Sequence, residues 1–133
     1  YLLLKGDVII KAKTSTPVAV AVESNLKNTI VTNHYFIIRI KDGYLSPRYL
    51  AWYLNSNYAK RYFDRNAEGT HIASINKKIL GEIDIFIPTQ TIQERVVKIH
   101  SLWLLEKNLL SRISKLKEEL VNAQLSKAIK EEI

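Results

Sequence analysis

The chain of 133 residues contains no cysteine and no methionine, and it has only four glycines and three prolines. Without cysteine, disulfides and thiolate metal sites are excluded, and we expect a reducing, cytoplasmic location. No apolar run approaches the ~20 residues that a membrane-spanning helix needs, so we expect no membrane partner. The glycines, at positions 6, 43, 69 and 81, are too dispersed to form a Gly-rich phosphate loop or a dinucleotide fingerprint.

Groups that perform catalysis are equally scarce. The three histidines, His34, His71 and His100, are far apart and lack metal-ligand spacing. No serine lies in a nucleophile-elbow context. Five carboxylates are interpreted as turn formers or surface charges, namely Asp7, Asp42, Asp64, Glu68 and Asp84. We therefore predict a protein that is not an enzyme, with no catalytic residue, no metal site and no cofactor bound by this chain.

Positive charge is in excess, and most of the excess lies in the first two thirds of the chain. The net charge is +7. Residues 1–90 hold 12 basic and 7 acidic residues, whereas residues 91–133 hold 8 and 6. A basic body suits a polyanion such as nucleic acid, and a nearly balanced helix suits pairing with protein. A solvated basic surface without a ligand explains the composition equally well.

The hydrophobic pattern predicts an α+β fold with a small mixed body at residues 1–90. Strands are predicted at 8–10, at 18–22 with both faces buried, at 29–32, at 35–40 and at 83–87. Ser46 and Pro47 form a helix start, with Ser46 as the N-cap. Apolar and aromatic residues at helical spacing then predict one helix, with Leu50, Tyr53, Leu54, Tyr58 and Tyr62 on one face. Residues 75–80 are predicted as a short helix or turn.

A long helix is predicted over residues 91–133, which contain no glycine or proline. Thr91 and Glu94 have the spacing of a capping box, which places the helix start within a residue or two. A heptad pattern follows, interrupted at Glu106 and ending at Lys127. Its apolar positions are Ile99, Leu102, Leu109, Ile113, Leu116, Leu120 and Ala123. The pattern favours pairing with a second helix over packing of the helix on its own body.

Polar loops of the basic body supply the side chains that bind phosphates and base edges. We predict a DNA-binding set formed by Lys11, Lys13, Thr14, Asn33, His34, Arg65, Asn66, Thr70, His71, Lys77 and Lys78. Lysines and hydroxyls would position the protein on the phosphate backbone of the DNA, whereas Asn, His and Arg would discriminate bases. For any one of these residues, an ordinary polar loop is the simpler interpretation.

Four segments in order resemble the specificity subunits of type I restriction–modification systems. Lys5-Gly6-Asp7-Val8-Ile9 resembles a turn and strand of that family, and residues 45–56 (LSPRYLAWYLNS) resemble one of its helices. Residues 67–70 (AEGT) resemble a loop. Residues 83–96 (IDIFIPTQTIQERV) resemble the junction before the family's long helix, with Pro88 and Gln93 in the expected places. The resemblance covers nearly the whole chain.

The resemblance implies a DNA reader without catalytic activity. It implies a target recognition domain at residues 1–90, incomplete at its N-terminus, and a dimerisation and spacer helix at 91–133 that pairs as an antiparallel coiled coil. The implied partners are double-stranded DNA, a second specificity-type helix in a homodimer or another subunit, and modification (methyltransferase) subunits. S-adenosylmethionine is expected only in those methyltransferase subunits. The alternative is a protein-interaction module that pairs with specificity or modification subunits and has little DNA binding of its own.

Overall fold

A three-stranded antiparallel sheet and four helices form the described part of this computed structural model, which comprises residues 2–12, 17–25, 29, 31–67 and 74–131. The strands are β1 (Val8–Lys11), β2 (Ala19–Ala21) and β3 (Tyr35–Ile38). The helices are α1 (Pro47–Leu54), α2 (Asn57–Asn66), α3 (Lys77–Gly81) and α4 (Gln90–Glu131). The chain divides into two compact units, Tyr1–Val97 and Lys98–Ile133. The predicted α+β class is confirmed.

Strand β1 lies in the centre of the sheet, between β2 and β3. A tight turn precedes it, in which Gly6 has a φ of 94°, a conformation that glycine adopts without strain. Val8 and Ile10 of β1 are fully buried. The prediction that residues 18–22 are buried on both faces is wrong. Val18 and Val20 are 56% and 53% exposed, because β2 is an edge strand that covers the core with one face only.

Helix α1 packs against the sheet and closes the core of the first unit. Its N-cap is Ser46, whose hydroxyl accepts a hydrogen bond from the Tyr49 backbone N–H, as the sequence predicts. Leu50 and Leu54 are 1% exposed and join Val8 and Ile10 in one apolar cluster. Phe63 of α2 and Ile75 and Ile79 near α3 complete this cluster. The core therefore unites all the short elements of the first unit.

The single helix predicted after Ser46 is wrong beyond Leu54, because two helices occupy that stretch. The chain turns at Asn55 and Ser56, and the Ser56 hydroxyl caps α2 by accepting from the Ala59 N–H. The Asn55 side chain bonds both the N–H and the carbonyl of Ala19, at 2.7 and 2.8 Å. This long-range pair of bonds ties the turn to β2.

Two other predicted strands do not form within the described residues. Residues 83–87 follow α3 without joining the sheet. Residues 29, 31 and 32 have no strand structure either, and residue 30 lies outside the described part. The short helix or turn predicted at 75–80 is a helix, α3.

Helix α4 spans 42 residues, or about 63 Å at 1.5 Å per residue. It begins at Gln90, so the capping box located the helix start correctly to within one residue. Thr91 is not the cap, however, because it already lies within the first turn, and the Gln93 N–H donates to the Thr89 carbonyl.

Candidate nucleic-acid interface and helix seam

Three of the predicted DNA-binding segments meet around the backbone of Ala12. The Ala12 N–H donates to the His34 carbonyl at 2.7 Å, and the Ala12 carbonyl accepts from the Ile75 N–H at 3.1 Å. Lys11 directly precedes Ala12, and Lys77 lies two residues after Ile75. These two hydrogen bonds therefore bring Lys11, the turn containing His34, and the start of α3 to one end of the sheet.

The end of α2 is joined to the same region through α3. The Tyr62 hydroxyl donates to the Ile79 carbonyl at 2.7 Å, which fixes α2 against α3. Asn66 donates from its amide to the Tyr62 carbonyl, one turn earlier on α2. Arg65 and Asn66 lie at the C-terminal end of this helix, and Asn66 already uses one of its donors.

The four described cations of this set are exposed and have no acidic partner among the described residues. Lys11, Arg65, Lys77 and Lys78 are all exposed, as are Asn33 and His34. The ion pairs of the first unit's described part are Arg39–Asp7 and Arg48–Glu23, which use other cations. Asn33 and Lys77 also line a common groove of about 810 Å³. We call the described members Lys11, Asn33, His34, Arg65, Asn66, Lys77 and Lys78 the basic edge.

Four predicted members of the set, Lys13, Thr14, Thr70 and His71, lie outside the described residues. Ala12 and Ala67 are the described residues that precede their two segments along the chain. The basic edge therefore comprises seven described residues.

One carboxylate interpreted from sequence as a turn former or surface charge, Asp7, is buried. It does form the turn, since its Oδ2 accepts from the Leu4 N–H at 2.8 Å, but the residue is only 1% exposed. Its two carboxylate oxygens accept from Nε and Nη2 of Arg39, both at 2.8 Å. These hydrogen bonds lower the pKa of Asp7, against the opposing effect of burial. The Arg39 guanidinium thus joins the end of β3 to the start of β1.

A second buried polar residue, Gln93, connects the first turn of α4 to the loop before α1. Gln93 is 1% exposed. Its Oε1 accepts from the Ser46 N–H at 2.8 Å, and its Nε2 donates to the Tyr44 and Pro88 carbonyls at 2.8 and 2.9 Å. The sequence marks Gln93 only through the family resemblance, because a glutamine in an amphipathic helix is ordinarily a surface residue. In the structure it orients the start of α4.

The predicted heptad positions of α4 are all exposed in the single chain. Ile99, Leu102, Ile113, Leu116 and Leu120 expose between 50% and 68% of their surface, and Leu109 exposes 48%. Ala123 is exposed as well. We call these seven residues the helix seam. Glu106 interrupts this apolar stripe. Large exposed apolar patches are typical of interaction sites in proteins, because contact between apolar side chains and water is unfavourable.

The described residues contain no group of three or more His, Cys, Asp and Glu side chains that could hold a metal ion. Within the same part of the chain, no helix is both long and apolar enough to cross a membrane. The search against models of known protein families finds none that matches, and the search of curated proteins likewise finds no match.

Proposed function

We propose that this chain is a DNA-recognition half-subunit of the type I restriction–modification specificity kind. It binds double-stranded DNA sequence-specifically through the basic edge and directs methyltransferase and restriction subunits to the target site. It works in the cytoplasm, binds no cofactor and performs no catalysis, so that S-adenosylmethionine belongs to the partner methyltransferase. The observation that carries the proposal is the meeting of Lys11, His34 and Lys77 around Ala12.

The chemistry of the basic edge matches what a duplex presents. Lysine and arginine side chains neutralise phosphates, and doing so releases condensed counterions from the DNA. Amide and imidazole groups can form hydrogen bonds with base edges in the major groove. The basic edge combines both kinds of group on one end of a sheet. No described carboxylate forms an ion pair with the lysines and the arginine of the basic edge.

The helix seam supplies the second half of the proposal. One half-subunit has one recognition body, whereas a bipartite target needs two at a fixed distance. Two copies paired through the seam of α4 as an antiparallel coiled coil would provide that arrangement with two-fold symmetry. The seam residues from 99 to 123 cover about 36 Å of helix, a length suited to a spacer.

The proposal is tested by titrating a pool of random duplexes at several salt concentrations. We expect log affinity to fall with log salt by about 0.9 for every phosphate contacted. The variant Lys11→Ala/Lys77→Ala should weaken binding to all duplexes and reduce that slope by about 2. Affinity that does not depend on salt, or a slope unchanged in the variant, would contradict the assignment of the basic edge.

The sheet provides a matched control at its opposite end. Lys5 precedes β1 and Lys41 follows β3, so the variant Lys5→Ala/Lys41→Ala removes the same charge from the other end of the sheet. Lys5 lies in the turn before β1, whereas Lys11 is the last residue of β1. The slope of log affinity against log salt for the control variant should differ from the wild-type slope by less than about 0.9, the value of one phosphate contact. Equal losses in both variants would indicate attraction by net charge alone.

The size of the exposed apolar surface of α4 favours a second candidate, a protein-interaction module with little DNA binding of its own. Thirteen large apolar side chains between Ile99 and Ile129 are exposed by 46% to 68%. Such a module would pair with a specificity or modification subunit through the helix. Co-purification with the modification subunit, together with a flat DNA titration, would select this candidate over DNA recognition.

A further inference from the structure

Strand β3 forms one edge of the sheet and pairs only with β1 in the described part of the chain. An edge strand presents unpaired N–H and C=O groups that another strand can bind. Ile37 lies in the middle of β3, opposite Ile9 of β1. Whether its backbone groups point towards β1 or away from it depends on the phase of the hydrogen-bond ladder.

Two hydrogen bonds fix that phase. The Ala12 N–H donates to the His34 carbonyl, so residues 12 and 34 form a bonded pair. Bonded pairs alternate along an antiparallel ladder, so that Ile10 bonds Phe36 whereas Ile9 and Ile37 form an unbonded pair. The hydrogen bonds on the other side of β1 have the matching phase, because the Lys11 N–H donates to the carbonyl of Val18, next to β2. The N–H and C=O of Ile37 therefore point to the free edge.

A second backbone stretch, at residues 83–87, pairs with no strand in the described part of the chain. The Tyr49 hydroxyl donates to the Phe86 carbonyl at 2.6 Å, and the Tyr53 hydroxyl donates to the Asp84 carbonyl at 3.2 Å. Burial alternates along the same stretch, because Ile83 and Ile85 pack on the core whereas Asp84 and Phe86 are exposed. In a stretch with this alternation, the backbone groups of Ile83 and Ile85 point away from the tyrosines. No described residue bonds them.

These two stretches line one groove of about 550 Å³. Its first wall is formed by all seven consecutive residues 36–42. Phe36, Ile37 and Ile38 belong to β3, and neighbouring side chains of a strand point to opposite faces, so a groove that touches all three runs along the strand edge and continues past its end. Its second wall includes Ile83, Ile85 and Ile87, and Leu50 and Leu54 also line it. An apolar groove therefore lies between two backbones with unused hydrogen-bonding groups.

We infer that this groove binds an extended segment of another polypeptide, which enters as a strand between β3 and residues 83–87. A strand is the occupant that satisfies peptide groups on both walls at once, whereas a helix has no free backbone groups along its sides. Its inward side chains are apolar, because they meet Leu50 and Leu54. Asp7 neutralises Arg39, so the remaining charges of the groove are Lys41 and Lys77 against the single carboxylate Asp42. Because this leaves the groove with excess positive charge, the remaining side chains of the bound strand include carboxylates.

The test uses the full chain and a synthetic peptide, Ac-EIEVTVE-NH2, in which apolar and polar residues alternate. Its matched control carries N-methyl groups on the three apolar residues, which removes three N–H donors and keeps every side chain. Backbone amide signals of the labelled protein are followed by NMR. We expect saturable shifts at Ile37 and Ile85, slowed exchange of the Ile37 amide, and an affinity at least tenfold lower for the methylated peptide.

Two protein variants provide an independent comparison. Ile37→Pro removes an N–H at the proposed binding edge, and proline is tolerated on edge strands. Ala21→Pro is its control, because Ala21 pairs with Val8 on the opposite edge strand, where the same alternation directs its N–H away from β1. Ile37→Pro should lose peptide binding and Ala21→Pro should retain it. If Ile37→Pro fails to fold, the methylated peptide still decides the question on the wild-type protein.

The inference is overturned if the unmodified peptide causes no shifts at millimolar concentration or shifts amides away from the groove. It is also overturned if the methylated peptide binds as tightly as the unmodified one, because binding would then not involve strand pairing. Lys77 lines this groove and also belongs to the basic edge, so peptide binding is measured without DNA and is judged from the backbone amides of Ile37 and Ile85.

Discussion

Replacing Gln93 by leucine removes the three hydrogen bonds that join the first turn of α4 to the preceding loops. The substitution leaves the Ser46 N–H and the Tyr44 and Pro88 carbonyls without their partner. A typical intramolecular hydrogen bond contributes about 0.5–1.5 kcal/mol net. Because these three groups are partly buried, we expect a total loss of about 2–4 kcal/mol, a large share of the roughly 5–15 kcal/mol that stabilises a domain.

Gln90 offers a matched control in the same turn of the helix. It is exposed, and its Nε2 donates to the Gly43 carbonyl at 2.9 Å. Gln90→Leu should change stability by less than about 0.5 kcal/mol, since water can replace this exposed bond. The measurement is urea denaturation followed by circular dichroism of both variants and wild type. Equal stability of Gln93→Leu and wild type would refute the role assigned to the buried side chain.

Gln93→Glu adds a dependence on pH with a definite sign. The introduced carboxylate would face the Tyr44 and Pro88 carbonyls, which disfavours its charged form and raises its folded-state pKa above the unfolded value. The protonated side chain can still donate one hydrogen bond. The variant should therefore be closest to wild type in stability below about pH 4, the ordinary range of Glu, and should lose stability as pH rises through its raised pKa. A difference in free energy of unfolding between Gln93→Glu and wild type that does not change with pH would contradict this prediction.

Two further substitutions test other parts of the structure. Asp7→Asn should lower the free energy of unfolding by about 1–3 kcal/mol at pH 7, because buried oxygens lose charged hydrogen bonds, whereas Glu23→Gln in an exposed pair should change it by less than about 0.5 kcal/mol. Because the folded-state pKa of Asp7 is lowered, its contribution to stability is present above its unfolded pKa and disappears as pH falls through the folded value. The free energies of unfolding of wild type and Asp7→Asn should therefore become equal in acid. Leu109→Asp with Leu116→Asp places charges in the helix seam and should give monomers by light scattering, whereas Ser111→Asp with Lys115→Asp, outside the seam, should not. An unchanged mass for the seam variant would show that the seam is misassigned.

Local features of the sequence predicted much of the fold. The cap at Ser46, the short helix α3 and the start of α4 depend on neighbouring residues, so the sequence contains their signals. The break at Asn55 and Ser56 was missed because Tyr58 and Tyr62 continue the helical spacing. What stabilises the break is the bonding of Asn55 to Ala19, a contact between residues far apart in sequence. The polar run Asn55-Ser56-Asn57 was the available signal.

The site was predicted as a set of polar loops, and the structure supplies the arrangement that sequence could not. Nothing in the sequence near Lys11 indicates that Ala12 bonds both His34 and Ile75. The Asp7–Arg39 pair was missed for a similar reason, since a carboxylate beside a turn glycine normally remains in water. The lack of a described partner strand for residues 83–87 was also missed, because an alternating apolar run predicts burial on one face and gives no information about the partner strand.

The mass of the wild-type chain in solution is the most direct test of the proposed architecture, in which the helix seam joins two copies. Light scattering should give twice the 15.3 kDa of the single chain, and added modification subunit should increase the mass of that dimer. A monomer at micromolar concentration that stays monomeric when the modification subunit is present would contradict the account.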